Sequence, residues 1–580
     1  MTYIDNKTNT IPNLRTTLVL GLSLLFLLIS CKEKKDWSYT AEQSEIYETA
    51  AIVSAHPLAS DVGEQILEQG GNAVDAIIAV QFTLAVVYPR AGNIGGGGFM
   101  IYRANDGTTA TLDYREKAPS GADKDMYLDS LGNVVQGLSS KGHLSVGVPG
   151  TVAGLVEAHS KYGNLEWKKL IQPAIDFATE GYAISQSEAD RLNKFQKDFV
   201  PLNDASSPFI KEHWKAGDIL VQKDLAATLS LIRDRQRAGF YTGKTADLIV
   251  AEMQEGHGLI TKQDLMDYKP VWRPAVEGFY EGYKIISMPP PSSGGITLLQ
   301  MLGLVQDYPL SDYHFQGTDA THLMVEAERR AFSDRAKHLG DSDFYPVPID
   351  SLLSIEYLAS LMDFFNADSA TVSDKMEVVD FIILKESFET THISIVDKDG
   401  NAASVTTTLN SNFGSKVIVD DAGFFLNNEM DDFSAKPGVP NIYGLVGAEA
   451  NAIAPHKRML SSMTPTIIEK DGELFMVLGS PGGSTIITSV YQVFLNVTAF
   501  EMPLDSAVWA PRFHHQWLPD QIWVEPSALS PAVKDSLMAM GHKFREVKAL
   551  GKVKAILRLP DGRLHAVGDN RNLDDDVSGY

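Results

Sequence analysis

Residues 390–409 have the sequence TTHISIVDKDGNAASVTTTL, in which two segments of alternating apolar residues flank a KDG turn. Alternation on both sides of a glycine-containing turn predicts a β-hairpin. A three-residue hairpin loop commonly places glycine in the left-handed conformation, so this turn predicts that Asp397 pairs with Asn401. In that register Thr390, at the start of the first strand, lies opposite Thr408 at the end of the second.

The position of Thr390 suits a nucleophile that becomes a chain terminus. A hydroxyl is a poor nucleophile unless a base takes its proton, and a terminal threonine can use its own α-amine. The α-amine, with a pKa of about 8, suits this role better than a lysine with a pKa of about 10.4. Cleavage between Glu389 and Thr390 would therefore expose the nucleophile and create its base, with Thr408 placed to hold the hydroxyl. The alternatives are an ordinary strand threonine, or Thr391 as nucleophile if cleavage falls one residue later.

A second element of this chemistry is predicted at residues 474–484, LFMVLGSPGGS, which indicate a strand, a turn and the start of a helix. Acyl transfer needs donors for the tetrahedral oxyanion, and backbone N–H groups at such a turn are each worth about 3–4 kcal/mol. Gly482 and Gly483 are the candidates. Glycine turns before helices are also ordinary structural features, so the motif alone does not specify function.

Upstream of the hairpin, the N-terminal part of the chain predicts two helices and a strand. Apolar residues recur at helical spacing over residues 57–69, and Gly70-Gly71 supplies a helix stop. A second helix is expected over residues 73–86. The glycine run 95–98 then leads into a strand over residues 99–102, where glycine permits close backbone approach.

The pattern changes at Thr390. Residues 150–388 show mostly helical periodicity, interrupted by PPPSSGG at 289–295, which we expect to be non-helical. From Thr390 onward, short apolar alternations are divided by Asp-Gly and Pro-Gly turns, which predicts a β-rich segment. A compositional boundary therefore falls just before Thr390.

Composition restricts the class of partner. The chain has 580 residues, 44% of them apolar and 21% charged, which is typical of a globular protein with one to three domains. With 50 basic and 74 acidic residues, the net charge of −24 should repel nucleic acid phosphates, so no nucleic acid partner is predicted. An anionic substrate would have to be captured locally by a few directed arginines or backbone amides.

The first thirty residues predict export. Lys7 and Arg15 precede an apolar run over residues 18–29, which is short for a membrane span and suits a secretory leader. The following Cys31, in the sequence LISC, resembles the lipidated cysteine of a bacterial lipobox. We therefore predict a signal peptide at 1–30, a lipid anchor on Cys31 and a tether over 31–45, with the protein in the periplasm or on the outer surface. A plain signal peptide or a short membrane anchor is the alternative.

Other common functional motifs are missing from the sequence. Residues 239–245, GFYTGKT, are one residue short of a phosphate-binding P-loop, and there is no H-E-x-x-H, clustered cysteine or G-x-S-x-G pattern. We accordingly predict no cofactor, no metal and no serine-hydrolase site. His392 is expected to be packed or hydrogen-bonded rather than catalytic.

Taken together, these features resemble the γ-glutamyltransferase (γ-glutamyltranspeptidase, glutathione hydrolase) family of the N-terminal nucleophile hydrolase superfamily. The similarity extends from about Ser54 to Tyr580. The matching segments are residues 72–76, 94–99, 112–116, 147–151, 289–295, 328–332, 390–394, 427–433, 460–463 and 480–483.

The resemblance implies an α+β fold, a four-layer αββα sandwich formed by two chains from one self-cleaved precursor. These chains would be a large subunit, 46–389, and a small catalytic subunit, 390–580. The implied site has Thr390 as cleavage site and nucleophile, Thr408 as its support, and Gly482 with Gly483 as oxyanion hole. The remaining implied roles concern the substrate: Arg115, Ser461 and Ser462 for the γ-glutamyl α-carboxylate, Asn410, Glu429 and Asp432 for the α-amine, and Tyr443 in a lid loop over 437–444.

The resemblance implies cleavage of the γ-glutamyl amide of glutathione and related compounds through an ester on Thr390. Water, amino acids or peptides would accept the acyl group. A sibling acylase acting on glutaryl β-lactams or poly-γ-glutamate, and a non-catalytic binding lipoprotein, are the alternatives. For single residues, Ser461 and Ser462 could form only a turn, Asp432 could cap a helix, and Arg115 could form an ion pair with Glu116 or another acid.

Overall fold

The computed structural model describes residues 1–3, 39–373 and 390–580. The chain divides into two units, 1–38 and 39–580, and the fold below is that of the second. Residues 4–30 of the predicted leader, Cys31 and Glu389 lie outside the described residues. Within the described part of the chain, none of the helices combines the length and the apolar character that crossing a membrane requires.

Helices occupy both halves of the chain. The α-helices of the described ranges are α1 (Pro57–Glu68), α2 (Ala73–Val87), α3 (Thr151–Tyr162), α4 (Trp167–Glu180), α5 (Gln186–Phe199), α6 (Lys223–Arg235), α7 (Ala238–Tyr241), α8 (Gly243–Glu255), α9 (Lys262–Asp267), α10 (Gly294–Val305), α11 (Thr318–His338), α12 (Ile349–Leu352), α13 (Ile355–Met362), α14 (Thr485–Thr498), α15 (Leu504–Trp509) and α16 (Pro531–Ala539).

Strands also occur in both halves of the chain. They are β1 (Ser44–Tyr47), β2 (Ala51–Ser54), β3 (Gly97–Arg103), β4 (Thr109–Asp113), β5 (Tyr182–Ala183), β6 (Ile219–Leu220), β7 (Val271–Arg273), β8 (Val276–Tyr280), β9 (Tyr283–Ser287), β10 (Thr391–Val396), β11 (Ala402–Thr408), β12 (Thr466–Lys470), β13 (Glu473–Gly479), β14 (Phe513–His514), β15 (Ile522–Val524), β16 (Phe544–Glu546), β17 (Lys554–Arg558), β18 (Leu564–Val567) and β19 (Asp576–Gly579).

Two seven-stranded antiparallel sheets form the centre of the molecule. Sheet I has the order β19-β2-β10-β11-β3-β4-β7, and sheet II has the order β1-β18-β17-β13-β12-β9-β8. Their inner faces share an apolar core that includes Val53 and Ile101 from sheet I and Val477 and Ile556 from sheet II. The two sheets therefore pack face to face as a β-sandwich.

Helices cover both outer faces of the sandwich. Helix α2 packs on β10 and β11 of sheet I, and α10 and α14 pack on sheet II. All fifteen residues of α2 are buried, as expected of a helix that is apolar all round and lies between a sheet and other helices. The predicted four-layer αββα arrangement is confirmed.

The hairpin β10–β11 has the register predicted from its sequence. Thr391 is paired with Thr407, and the Asp397 N–H donates to the Asn401 carbonyl at 3.0 Å. Gly400 has φ +83°, the left-handed conformation that the turn requires. Continuing this register by one residue brings Thr390 opposite Thr408.

The middle of the chain differs from its prediction in two places. Five strands, β5 to β9, lie within the region expected to be mostly helical. The β8–β9 turn is Glu281-Gly282, with φ +46° and +83°. Helix α10 begins at Gly294, inside the segment 289–295 that we expected to be non-helical. Glycine starts this helix because a Cβ at Gly294 would lie 2.2 Å from the Thr464 hydroxyl.

The second unit begins ahead of the predicted large-subunit start. Residues 39–45, assigned to the tether from sequence, belong to this unit. Strand β1 begins at Ser44 and pairs with β18 near the other end of the chain, and the Glu42 N–H donates to Asp576 at 2.9 Å. Both ends of the described segment 39–580 are therefore held by the same edge of the sandwich.

Candidate active site

The sandwich brings the predicted site residues to one end of both sheets. Thr390 precedes β10, Thr408 ends β11, and Arg115 follows β4, which all lie in sheet I. From sheet II, Ser462 precedes β12 and Gly483 follows β13. Because neighbouring strands are antiparallel, the start of one strand and the end of the next meet at this edge.

These residues surround an open cleft with a volume of about 550 Å³, including the solvent at its mouth. Its lining includes every predicted catalytic and substrate-binding residue except Gly482: Arg115, Thr390, Thr408, Asn410, Glu429, Asp432, Tyr443, Ser461, Ser462 and Gly483. Thr390 itself is only 4% exposed. A reacting group in this cleft would be largely shielded from bulk water.

The hydroxyl of Thr390 lies 3.3 Å from the hydroxyl of Thr408. Thr408 Oγ1 also accepts the Asn410 N–H at 2.7 Å. This second bond is possible because Asn410 has φ +76°, which turns the chain sharply at the end of β11. The turn after the strand thus fixes the Thr408 hydroxyl beside Thr390.

The glycine turn at 482–483 faces the same cleft. Gly482 has φ +142° and Gly483 φ +56°, both in the region that favours glycine. A Cβ on Gly482 would approach Thr485 Oγ1 to 2.7 Å and Gly551 Cα to 3.0 Å. Among the described residues, neither N–H has a hydrogen-bond acceptor, so the turn can offer backbone donors to an oxyanion.

Arg115 is the centre of a buried charge cluster. Its Nη1 donates to Glu429 and its Nη2 to Asp432, each at 2.5 Å, and Glu116 lies 3.5 Å from Nη1. Both acidic partners belong to a short 3₁₀ helix, Glu429–Asp432. The ion pair with an acid that we considered from sequence is therefore present, and it is made with two of the predicted substrate-binding residues.

Burial strongly affects ionisation in this cluster. It raises the pKa of Glu429 and of Asp432, and repulsion from Glu116 raises the pKa of Glu429 further. Burial also opposes the charge of Arg115, but Glu429 and Asp432 raise its pKa above the ordinary value. The pKa of Glu116 is raised by burial to about 7. An added cation beside these carboxylates would favour their ionised forms.

Ser461 and Ser462 lie on the other side of the cleft, in contact with an arginine that sequence reasoning missed. Arg335, near the end of α11, donates from Nη2 to Ser462 Oγ at 3.0 Å and from Nε to Ser293 Oγ at 2.9 Å. The Ser293 hydroxyl in turn donates to the Ser461 carbonyl at 2.7 Å. Only the match at residues 289–295 hinted that this loop borders the site.

The predicted lid residue closes one wall of the cleft. The Tyr443 hydroxyl lies 2.6 Å from both the carbonyl and the side-chain oxygen of Asn410, and the side-chain nitrogen of Asn410 donates to Asn428 at 3.0 Å. Tyr443 is 6% exposed. The loop therefore covers Asn410, two residues beyond Thr408.

His392 is buried next to the site without facing the cleft. Its ring nitrogens are hydrogen-bonded to Thr406 and Ser394, at 2.8 and 3.1 Å. Burial lowers its pKa well below the ordinary value, so the ring is neutral. The packed, hydrogen-bonded role predicted for this histidine is confirmed.

One group of described side chains has the spacing of a metal site, namely His322, Glu326 and His542, whose ligand atoms lie within 4.8 Å of one another. Glu326 is already bound by Arg329 at 3.2 Å and Arg330 at 2.6 Å. Two guanidinium groups on the carboxylate oppose a divalent cation there. The donor set therefore fits an ion-pair network better than a metal.

This network predicts acid sensitivity. Although burial opposes ionisation, Arg329 and Arg330 lower the pKa of Glu326 to about 2. A lowered folded-state pKa contributes stability that is present above the unfolded value and is lost as pH falls through the folded value. Between pH 5 and pH 2, we expect the free energy of unfolding to fall by roughly 2–3 kcal/mol less in Glu326→Gln than in the parent chain.

The measurement is the free energy of unfolding in urea at several pH values. Glu277→Gln is the matched control, because Glu277 forms a partly exposed ion pair with Lys284 at 3.0 Å, and such surface pairs contribute little. Equal pH dependence in the parent chain and in Glu326→Gln would contradict the assignment.

Comparison with known proteins agrees with this geometry. A family model described as gamma-glutamyltranspeptidase matches residues 59–579. A glutathione hydrolase proenzyme of Escherichia coli (strain K12) is 44% identical over 550 residues, 94% of each protein. Among solved structures, γ-glutamyltranspeptidase of Helicobacter pylori is 44% identical with a TM-score of 0.54, over 58% of this chain and 95% of that one. Cephalosporin acylase from Bacillus halodurans is 25% identical with a TM-score of 0.80, over 95% of this chain and 99% of that one. The chain belongs to the γ-glutamyltranspeptidase family.

Proposed function

We propose that the chain is a self-processing γ-glutamyltransferase. It cleaves the γ-glutamyl amide of glutathione and related compounds through an ester on Thr390. The observation that carries this proposal is the placement of the Thr390 hydroxyl, 3.3 Å from Thr408, in a cleft that also contains the Arg115 charge cluster. The name of the Escherichia coli relative, glutathione hydrolase proenzyme, supports glutathione as a donor.

Processing comes first. The Thr390 hydroxyl attacks the Glu389 carbonyl carbon, the peptide C–N bond breaks, and the acyl group moves from nitrogen to oxygen. This shift frees the Thr390 α-amine, and water then hydrolyses the ester to release the Glu389 carboxylate and the Thr390 hydroxyl. The large subunit, up to 389, and the small catalytic subunit, 390–580, stay together because strands from both form each sheet.

The donor binds as a zwitterion. Its α-amine is received by Asn410 and by the carboxylates of Glu429 and Asp432. Burial disfavours the ionised form of these two carboxylates, and a nearby cation favours it. Its α-carboxylate is held by Arg115 together with the Ser461 and Ser462 hydroxyls. This local charge pattern lets an acidic protein bind an anionic group.

Acyl transfer then proceeds in two steps. The Thr390 α-amine takes the hydroxyl proton, the oxygen attacks the γ-carbonyl, and the N–H groups of Gly482 and Gly483 stabilise the oxyanion. The leaving amine takes up the proton, and a γ-glutamyl ester remains. Water, or the amine of an amino acid or peptide, attacks this ester and regenerates Thr390. The Tyr443 lid limits the access of water and so supports transfer to amino acids and peptides.

Two further parts of the proposal concern location. The leader at 1–30 directs export, Cys31 carries a lipid, and residues that follow it link the anchor to the enzyme in the periplasm or on the outer surface. The apolar run followed by LISC supports this assignment. Contact with a membrane would then occur only through the lipid anchor.

The experiment is mass spectrometry of the purified protein combined with donor assays. We expect a fragment that begins at Thr390, a lipid mass on Cys31, and faster cleavage of γ-glutamyl p-nitroanilide than of glutaryl p-nitroanilide. Preference for the glutaryl donor would indicate an acylase. A single intact polypeptide without activity would contradict the proposal and indicate a binding protein.

Thr408 provides a further prediction. Replacing it with valine removes the hydroxyl that contacts Thr390 while keeping the side-chain volume, so kcat should fall roughly 10- to 100-fold with little change in KM. Steady-state assays on processed enzyme measure this. Thr406→Val is the control, because Thr406 bonds to His392 instead, and an equal loss in both variants would contradict the role of Thr408.

A further inference from the structure

Arg335 carries a buried charge that the described protein does not pair with a carboxylate. It is 5% exposed, lines the cleft, and donates to the neutral hydroxyls of Ser293 and Ser462. Among the described residues, no carboxylate oxygen lies within 4.0 Å of its nitrogens. Buried charged groups in proteins are normally paired, because desolvation of an unpaired ion is costly.

Arg115, the arginine predicted from sequence, is in the opposite situation. Both of its terminal nitrogens are bound by Glu429 and Asp432 at 2.5 Å. Arg115 is therefore already paired with carboxylates of the protein, whereas Arg335 is hydrogen-bonded to the hydroxyls of Ser293 and Ser462. A zwitterionic donor adds one charge of each sign, so its cation suits Glu429 and Asp432 and its anion suits Arg335.

The two serine hydroxyls each accept one hydrogen bond from the protein and keep a proton to donate. Ser462 Oγ accepts from Arg335 at 3.0 Å, and Ser461 Oγ accepts the Met463 N–H at 3.1 Å. A hydroxyl has one proton and two lone pairs. Since a lone pair of each oxygen is already used, each O–H can donate into the cleft that both residues line.

Arg335 also braces the loop behind these serines. Its Nε donates to Ser293 Oγ, and Ser293 donates to the Ser461 carbonyl from both its hydroxyl and its N–H, each at 2.7 Å. One guanidinium thus holds both serines, directly at Ser462 and through Ser293 at Ser461. The result is two hydroxyl donors next to a guanidinium that no carboxylate of the described residues contacts within 4.0 Å, which is the composition of an anion site.

We propose that Arg335 is a specificity-determining positioning residue for the donor α-carboxylate. It orients the Ser462 hydroxyl as a donor and supplies the charge that balances the carboxylate. This inference deepens the proposed γ-glutamyltransferase function and rests on it. Arg335 is not itself the group that activates the nucleophile.

The test compares two donors that differ only at the α-carboxyl group: γ-glutamyl p-nitroanilide and the same compound with an α-carboxamide. The carboxamide has the same shape and amine but no negative charge. In Arg335→Gln we expect the ratio of kcat/KM for carboxylate over carboxamide to fall roughly 10- to 100-fold. The slow carboxamide donor is assayed in single turnover with excess enzyme. The ratio cancels differences in the processed fraction, since both donors are measured on one preparation.

A purely structural role would lower both rates equally and leave the ratio unchanged, which would overturn the inference. Arg330→Gln is the matched control, because Arg330 is a buried arginine of α11 bound to Glu326 and does not line the cleft; its ratio should stay at the parent value. Arg335→Lys, which keeps the charge, should recover part of the ratio.

A further variant tests the inference if the Arg335 variants do not cleave themselves. If neither Arg335 variant is cleaved, Ser293→Ala decides, because Ser293 joins Arg335 to Ser461 and does not line the cleft, and this variant should lower the same ratio. An unchanged ratio in Ser293→Ala would overturn the inference. If the parent enzyme itself does not cleave γ-glutamyl p-nitroanilide, the proposed function fails instead, so the two failures are distinguishable.

Discussion

Replacing Thr390 with alanine is expected to leave the precursor as one uncut chain with no measurable transferase activity. The variant lacks the oxygen that attacks Glu389, and without cleavage the α-amine is never formed, so nucleophile and base are lost together. Loss of such a group costs at least about 10⁴-fold in rate. A denaturing gel and a γ-glutamyl p-nitroanilide assay measure the two consequences.

Thr391→Ala is the matched control for this experiment. Thr391 is adjacent and buried, but its hydroxyl has no hydrogen-bond partner among the described residues and it lies on the other face of β10. We expect this variant to be processed and active. Efficient cleavage of Thr390→Ala would contradict the mechanism. An uncut Thr391→Ala chain would place the cleavage site one residue later.

Replacing Arg115 with methionine should affect both stability and donor binding. The change leaves Glu429 and Asp432 buried without their cation, which costs roughly 3 kcal/mol after allowance for protonation of the carboxylates. The same loss removes a partner of the donor α-carboxylate, so KM for the γ-glutamyl donor should rise roughly 100-fold. Thermal unfolding and steady-state kinetics on the processed enzyme measure the two effects.

Arg103→Met separates these two effects. Arg103 is equally buried in β3 and bonds to Glu469 at 2.6 Å, but it does not line the cleft. We expect a comparable loss of stability with an unchanged KM. A rise in KM of the same size in both variants would mean that Arg115 acts only through the fold.

The parts of the fold that could be predicted are those with local causes. The stop at Gly70, which has φ +88°, and the glycine turn before α14 follow from residues within one or two turns of each other. The β8–β9 hairpin departs from the sequence prediction although its Glu281-Gly282 turn is a local signal, because the surrounding residues have helical periodicity. The start of α10 at Gly294 could not be predicted, since the reason for that glycine is the distant Thr464.

The candidate site divides in the same way. Residues of the nucleophile side are neighbours in a hairpin, so Thr390 and Thr408 could be placed together from turn chemistry alone. Arg115 and Glu429 are 314 positions apart, and only the family resemblance connected them. The sequence did not connect Arg335 with the site. Helix α11 contains several buried charged residues, and their spacing does not show which of them reaches the cleft.

By itself, the sequence determined the hairpin register around Thr390, the glycine turn at 482–483 and the family, because alternation, turn residues and motif order are properties of adjacent positions. Only the tertiary structure decided that Glu429 and Asp432 neutralise Arg115 while Arg335 faces the cleft with hydroxyl partners. The physical reason is that the energy of a buried charge depends on the groups within a few ångströms of it, and those groups come from segments that only the packing of the two sheets brings together.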